Sequence, residues 1–186
     1  MAAPEVDRRE ILRYAGAREG ASELMPLLED CLSAMWDGLT YSAVLCEISP
    51  EELPFAESRS LSARLSGCSR AVIFAATVGL EPDRRLLRYG SREPSRALLC
   101  QAIGTERVEA LCDALCRELA CEYAERGMTL RPRFSPGYGD CPLSLQRELL
   151  VRLDAAHRIG ITLNESLLMT PTKSVTAIVG LEPVCK

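Results

Sequence analysis

The segment AVIFAATV, at residues 71–78, is the strongest strand signal in this chain. It contains no charged residue, and it includes the β-branched and aromatic side chains that are favoured in strands. The run is too short for a typical buried helix and is followed directly by Gly79. We therefore expect residues 71–78 to form a strand that is buried in the core.

Two further strands are predicted far from this segment along the chain. YSAVLCEI precedes it at residues 41–48, and SVTAIVGL follows it at residues 174–181. Helical patterns fill most of the sequence between the three strands. Strands that are isolated between pairs of helices favour an α+β domain, with a mostly antiparallel mixed sheet flanked by helices, over a regular parallel sheet.

The helical patterns also indicate how the chain is organised. In the first part of the chain, helices are predicted at 5–15 and 21–36, and a short helix is predicted to end at 61–67. Residues 82–102 are predicted to form two short helices that are interrupted around Gly90–Pro94. A long helix is predicted from Thr105 to about Arg126, and another at 143–158, which ends before Gly160. We expect a single domain at 1–186, in which a helical segment at about 5–36 packs on an α+β core at about 38–183.

The composition excludes several classes of function. With 186 residues, 47% of them hydrophobic, the chain can bury a full core as one domain. Its longest apolar run, at 71–80, is much shorter than the roughly 20 residues of a membrane span. The net charge of −4 leaves no basic stripe for nucleic acid. The N-terminus shows no apolar signal region, so we expect a cytoplasmic protein that binds neither membrane nor nucleic acid.

The nine cysteines are expected to stay reduced in that compartment. Cys112, Cys116 and Cys121 have the spacing C-x3-C-x4-C, which is two residues wider than the C-x3-C-x2-C that binds iron–sulfur clusters. They also lie in a helical pattern that places Cys112 and Cys116 on or beside its apolar face. Because free cysteine packs as a small hydrophobic residue, we interpret them as ordinary cysteines and predict no metal site.

The loop RPRFSPGYGDCP, at residues 131–142, follows neither a helical nor a strand period. Arg133 offers fork-like donors to a carboxylate or phosphate. Gly137 and a second glycine two residues later allow the backbone to turn and to approach a ligand. Together with Tyr138 they suit a small zwitterion, whose carboxylate binds Arg133 and whose cation lies near Tyr138 or Glu122. The alternative is a plain connector between two helices.

Glu122 is a charged residue on the apolar side of the long predicted helix. At 100° per residue it falls within an arc of roughly 120° that also contains Val108, Leu111 and Leu119. A carboxylate that points toward a core is costly unless a partner binds it. Two interpretations stay open: an ion pair with Arg126, four residues further on, or a contact with a ligand that the following loop also binds.

Three segments of the chain resemble the activation domain of cobalamin (vitamin B12)-dependent methionine synthase. Arg133-x-x-x-Gly137-Tyr138 is similar to the R-x-x-x-G-Y motif of that family. GITLNESLLMTPTKSVTAIVG, at 160–180, is similar to its G-x-x-L-T-E-S-x-x-M-x-P-x-x-S-V-S-G segment. LSGCSRAVIFAATVG, at 65–79, resembles a stretch typical of its stand-alone, single-domain members. The resemblance therefore covers nearly the whole chain.

This resemblance implies where S-adenosylmethionine binds. The ligand contacts of the family fall on the arginine, glycine and tyrosine of the loop motif, and its acidic contact, in a helical E-Y sequence, falls on Glu122. The expected binding residues are Glu122, Arg133, Ser135, Pro136, Gly137 and Tyr138, with Glu165 and Ser174 behind them as possible support.

The only histidine, His157, does not indicate a corrinoid site on this chain. Its setting D-A-A-H-R-I-G approximates the D-x-H-x-x-G of cobalamin-binding domains, but its Asp–His spacing is one residue too long. The histidine also lies at a predicted helix end, where a cation is favoured. We therefore expect cobalamin to be carried by the partner protein.

The resemblance further implies a function. We expect an S-adenosylmethionine-binding reactivation subunit for a separate, corrinoid-binding methionine synthase, which supports the reductive remethylation of cob(II)alamin in methionine biosynthesis. Its docking would be transient, an electron donor such as a flavodoxin would act on the partner, and the chain alone would not turn over. Two alternatives stay open: an accessory factor for another corrinoid methyltransferase, and a non-catalytic interaction module that has lost its ligand.

Overall fold

An antiparallel sheet lies at the centre of the protein. The computed structural model describes residues 2–17, 22–53 and 58–184. The strands in these ranges are β1 Ser42–Ile48, β2 Arg70–Thr77, β3 Met128–Leu130, β4 Thr162–Leu163, β5 Met169–Thr170 and β6 Ser174–Pro183. Four of them form one sheet in the order β1-β2-β6-β3, while β4 and β5 form a separate two-stranded ribbon. The predicted α+β class with an antiparallel sheet is confirmed.

Strand β2 is one of the two interior strands of this sheet, beside β6. It pairs with β1 and with β6, and both pairings are antiparallel. Thr77 of β2 lies opposite Ser42 of β1 on one side and opposite Ser174 of β6 on the other. Every residue of β2 except the first, Arg70, is buried. The expectation of a buried strand at 71–78 is confirmed, with the strand displaced by one residue.

Helices cover both faces of the sheet. They are α1 Arg8–Tyr14, α2 Met25–Trp36, α3 Arg59–Leu65, α4 Glu81–Tyr89, α5 Pro94–Glu125, α6 Leu145–Arg152 and α7 Ala155–Ile159. Because side chains alternate along a strand, Val72 and Phe74 of β2 face a core formed with α1, α2, α4 and α5. Ile73 and Ala75 face a second core formed with α3, α6 and α7.

A buried ion pair joins the N-terminal segment to α5. Arg107 is fully buried and pairs with the adjacent Glu106. The same guanidinium donates to the carbonyl oxygens of Pro4 and Glu5 at 2.7 and 2.6 Å. Glu106 Oε1 also accepts a hydrogen bond from the backbone N–H of Asp7 at 3.0 Å. These bonds satisfy the two buried charges and fix the chain that leads into α1.

Helix α5 is continuous for 32 residues, which corrects the predicted break near residue 104. Gly104 falls in the gap between the helices predicted to end at 102 and to begin at Thr105, but it lies inside α5 at a point where another part of the chain comes close. A Cβ atom at this position would lie 2.8 Å from Lys173 Cγ and 2.9 Å from Pro82 Cβ. The glycine is therefore explained by packing rather than by a helix end.

The structure also divides one predicted helix and adds three short strands that the sequence did not predict. The helix predicted at 143–158 is divided into α6 and α7 by Asp154, whose φ of 49° is left-handed. Strand β3 and the β4–β5 ribbon were not predicted, because they are only two or three residues long and carry no periodic signal.

The remaining composition-based expectations concern cysteines and membranes. The eight cysteines in the described ranges are free thiols, and burial raises the pKa of Cys112 to about 12. Those ranges contain no cluster of histidine, cysteine or carboxylate side chains able to hold a metal ion. No helix within them is both long and apolar enough to cross a membrane.

We expect Gly104→Ala to destabilise the protein, although alanine is favoured over glycine in a helix by about 1 kcal/mol. The added methyl group overlaps Pro82 and Lys173, and overpacking of this kind costs about 1–3 kcal/mol. The free energy of unfolding in urea should therefore fall. Ala120→Gly, at an exposed position of the same helix, measures the difference in helix propensity between alanine and glycine where no overpacking occurs. A Gly104→Ala protein that is more stable than wild type would contradict the close packing.

Candidate functional site

A cleft of about 450 Å³ opens between α5, the loop after β3, α6 and the start of β6. This volume is in the range of small-molecule sites. Its lining combines charged, polar and apolar side chains: Arg64, Glu109, Arg133, Phe134, Ser135, Pro136, Tyr138, Leu143, Gln146, Met169, Ser174, Val175 and Thr176.

The loop that forms one wall is anchored to the sheet by Phe134. Its backbone N–H donates to Ile178 O at 2.9 Å, and the N–H of Ile178 donates back to Phe134 O at 2.8 Å. Beyond this bridge the chain reverses at Gly137, which has a φ of 91°, a conformation that strongly favours glycine. The turn leaves the side chain of Tyr138 68% exposed at the rim of the cleft.

Arg133 precedes this bridge and is held by two carboxylates from α5. Its Nη2 lies 2.6 Å from Glu109 Oε2, and its Nη1 donates to Asp113 Oδ1. Burial opposes the charge of this guanidinium, but the hydrogen bond and the charge of Asp113 outweigh burial. The pKa of Arg133 therefore lies above its ordinary value.

A second cleft, of about 390 Å³, lies on the other side of Arg133. Glu109 and Arg133 line both clefts, whereas Asp113 lines only the second. The acidic residues of α1 and of the segment before it form much of the rest of this second cleft. Arg133 and Glu109 thus form a thin partition between the two spaces.

Asp140 fixes the far end of the loop to the start of α3. Its Oδ1 accepts from the Ser58 hydroxyl at 2.8 Å and from the Ser60 N–H at 3.0 Å, and its Oδ2 accepts from the Arg59 N–H at 2.9 Å. Hydrogen bonds from Ser60 and Ser58, and then from Arg59, lower the pKa of the Asp140 carboxyl well below its usual range. The loop therefore satisfies N–H groups that a helix start leaves without partners.

Strand β6 forms the inner wall, in which the Ser174 hydroxyl is already hydrogen-bonded. The Ser174 hydroxyl lies 2.7 Å from Pro171 O and 2.9 Å from Thr77 Oγ1. On the opposite side, Gln146 Nε2 donates to Leu167 O at 2.5 Å. These bonds hold the wall in place, whereas Arg133 and Glu109, which pair with each other, bring opposite charges to the cleft from the loop and from α5.

Five of the predicted site residues line the cleft: Arg133, Ser135, Pro136, Tyr138 and Ser174. Gly137 supplies the turn between two of them. Glu165 is exposed in the turn that joins β4 to β5 and does not line the cleft.

Glu122 does not line the cleft, and its predicted orientation toward the core was wrong. The buried stripe of the helix narrows near its end, since only Leu119 and Tyr123 are buried in residues 117–125. The side chain of Glu122 lies outside this narrower stripe and is exposed. Arg126 binds Glu47 at 3.1 Å instead of the proposed partner in its own helix. The carboxylate that α5 does bring to the cleft is that of Glu109, 13 residues earlier and therefore about 20 Å away along the axis.

Sequence reasoning missed Glu109, Asp113 and Asp140. The first two stand four residues apart, so they share a helix face, and an acidic pair on one face was an available signal for a cationic partner. The contact between Asp140 and α3 joins residues about 80 positions apart, and no local pattern predicts it.

Comparison with known proteins identifies the family. The sequence model of the family described as "Vitamin B12 dependent methionine synthase, activation domain" matches residues 66–186. The chain belongs to this family. A crystal structure described as the MetH reactivation domain bound to AdoHcy superimposes with a TM-score of 0.64 at 19% identity. The alignment covers 98% of this chain and 71% of that chain. A comparison with curated proteins gave no match.

In this activation-domain family member, the contribution of Asp140 to stability should depend on pH. Its carboxyl has a lower pKa in the folded chain than the ~3.9 expected when unfolded. The carboxylate therefore stabilises the fold at any pH above the unfolded pKa of ~3.9, and this stabilisation is lost as the pH falls from there through the folded pKa. The difference in urea-unfolding midpoint between wild type and Asp140→Asn should be largest near neutral pH and shrink below about pH 4.

Asp37→Asn, which removes one carboxylate from the exposed end of α2, is the matched control for the loss of one negative charge. A pH-independent difference for Asp140→Asn would contradict the charged contact with α3.

Proposed function

We propose that this chain binds S-adenosylmethionine in the cleft beside Arg133 and acts as a separate reactivation subunit for a cobalamin-dependent methionine synthase. Membership in the activation-domain family supports this proposal. The structural neighbour is described as bound to AdoHcy, the demethylated form of the same ligand. The cleft itself supplies the third support, because its lining includes a pair of opposite charges that suits a small zwitterion.

The arrangement that carries the proposal is the pair of opposite charges on the cleft wall. Arg133 and Glu109 lie 2.6 Å apart, and both face the cleft. A methionine group carries a carboxylate and an ammonium on one carbon, so it presents the matching charges at a similar separation. The guanidinium of Arg133 binds the ligand carboxylate with charge-assisted hydrogen bonds, and Glu109 binds the ammonium. Glu109 thus takes the role expected of Glu122.

The turn at Gly137 orients the rest of the ligand. Ser135 and Pro136 line the cleft just before the turn, and Tyr138 lies at its rim. An aromatic face beside a sulfonium attracts its positive charge. This placement holds the amino-acid end inside the cleft and the sulfonium methyl near the opening.

The open rim is where a partner must dock. Tyr138 is 68% exposed and Leu143 is 41% exposed, so both offer apolar area to another surface. The cobalamin of the partner supplies the methyl-accepting cobalt after one-electron reduction by a donor such as a flavodoxin. This chain contributes the binding and orientation of the methyl donor. Because the partner has other substrates, the docking is transient.

Replacing the carboxylate-binding arginine should weaken the ligand complex. We expect Arg133→Ala to reduce the affinity for S-adenosylmethionine, measured by calorimetry, by about 1.5–3 kcal/mol, the value for a hydrogen bond to a charged group. The fold should survive, because Glu109 and Asp113 are both partly exposed and can be hydrated.

Arg131→Ala is the matched control for this measurement. Arg131 lies two residues earlier, pairs with Glu182 at 3.0 Å and does not line the cleft. Its loss should leave the affinity unchanged. An Arg133→Ala protein that binds as tightly as wild type would exclude the carboxylate clamp.

Methyl transfer should require the partner. We expect transfer from S-adenosylmethionine only when a corrinoid-bearing methionine synthase and a one-electron reductant are both added. Tyr138→Ala should lower its rate, whereas Leu87→Ala, at an 86% exposed position on α4 away from the cleft, should not. Methyl transfer by the isolated chain to a small acceptor, without a corrinoid, would instead indicate an ordinary methyltransferase.

A further inference from the structure

We infer that Asp113, which lies outside the ligand cleft, makes the cleft favour S-adenosylmethionine over its demethylated product. Asp113 is therefore a specificity-determining residue that acts through its charge and through Arg133. This inference rests on the proposed function. It concerns one observable quantity, the ratio of the affinities for the two ligands.

The charges that line the cleft are unbalanced without Asp113. In the described part of the chain, the charged residues of its lining are Arg64, Glu109 and Arg133, which together carry one net positive charge. Arg64 is exposed, and its guanidinium carbon lies 6.0 Å from the ring centre of Phe134. A surplus positive charge around the cleft disfavours any ligand that is itself a cation.

Asp113 removes this surplus from behind the cleft wall. It binds Nη1 of Arg133 on the side of the second cleft, while Glu109 binds Nη2. Glu109 and Asp113 are one turn apart on α5, so their spacing is fixed by the helix. The neighbouring Val108, Leu111 and Cys112 are buried, which prevents this part of α5 from moving toward a ligand.

The charges around the second cleft also favour a cationic ligand. Glu10 is paired with Arg13, and Glu106 is paired with Arg107, so these carboxylates add little net charge. Apart from Glu109, Asp113 and Arg133, the remaining charged residues of that cleft are Glu5, Asp7 and Arg117, which together carry one negative charge. The side of Arg133 away from the ligand is therefore negative as a whole.

The two ligands differ only at the sulfur, by one methyl group and one positive charge. In S-adenosylmethionine the carboxylate and the ammonium cancel, and the sulfonium adds one positive charge. In S-adenosylhomocysteine the sulfur is a neutral thioether. Contacts with the adenosine and amino-acid groups are common to both, so they cancel in the ratio of affinities. The attraction between a fixed negative charge and the sulfonium does not cancel, so Asp113, acting at a distance from behind Arg133, favours release of the demethylated product.

The test compares dissociation constants for the two ligands, measured by calorimetry on the full chain. Wild type, Asp113→Asn, Asp113→Glu and Glu118→Gln are each titrated with S-adenosylmethionine and with S-adenosylhomocysteine. Glu118→Gln removes the same charge from an exposed position five residues along α5, which faces away from Arg133. In Asp113→Asn, the preference for the sulfonium ligand should fall by about three- to tenfold, which is the Coulomb effect expected between one carboxylate and one sulfonium near a protein surface.

The remaining variants should separate charge from structure. Asp113→Glu should keep the wild-type ratio within about twofold, and Glu118→Gln should leave it unchanged. In wild type the ratio should also fall as salt increases from about 0.05 to 0.5 M, because screening weakens an effect that acts at a distance. This measurement can overturn the inference even if Asp113→Asn does not fold.

The outcomes distinguish this inference from the proposed function. If wild type binds neither ligand, the proposed function fails. If wild type binds both, but Asp113→Asn changes the two affinities by the same factor, then Asp113 only positions Arg133 and the inference alone is overturned. A wild-type ratio that does not respond to salt would overturn it as well.

Discussion

The antiparallel pairing of β2 with β6 is the constraint on which both the core and the cleft depend. Side chains alternate across each strand, so this register assigns Val72 and Phe74 to one core and Ile73 to the other. The same β6 then accepts the bridge from Phe134 at Ile178. A shift by one residue would move every buried side chain to the opposite face and displace the loop that forms the cleft.

The ion pairs around Arg133 contribute to position more than to stability. Arg133 is 26% exposed and its two partners more so, and pairs of this kind contribute about 0–1 kcal/mol. Their value lies in geometry, because two carboxylates on one rigid helix turn fix the plane of the guanidinium. The fully buried pair of Glu106 and Arg107 on the same helix contrasts with this arrangement. It lies deeper, binds only protein groups, and secures the N-terminal segment.

The glycine-rich loop combines freedom at its turn with fixed ends. Phe134 fixes the beginning to the sheet and Asp140 fixes the end to α3, while Gly137 takes a backbone conformation that other residues disfavour. Tyr138 is thus exposed on a rigid support, a situation suited to contacting both a ligand and a docking partner.

The sequence by itself determined the elements with strong local signals. The apolar run of β2, the two other long strands, the α+β class and the irregular loop that contains Arg133, Gly137 and Tyr138 follow from composition and periodicity. Only the tertiary structure decided that α5 continues through Gly104, because the reason is the approach of Pro82 and Lys173. It likewise replaced Glu122 by Glu109 at the cleft and joined Asp140 to α3. Those choices depend on which residues distant in sequence come together in the fold, and a helical period alone cannot specify which part of a long helix lines a cleft.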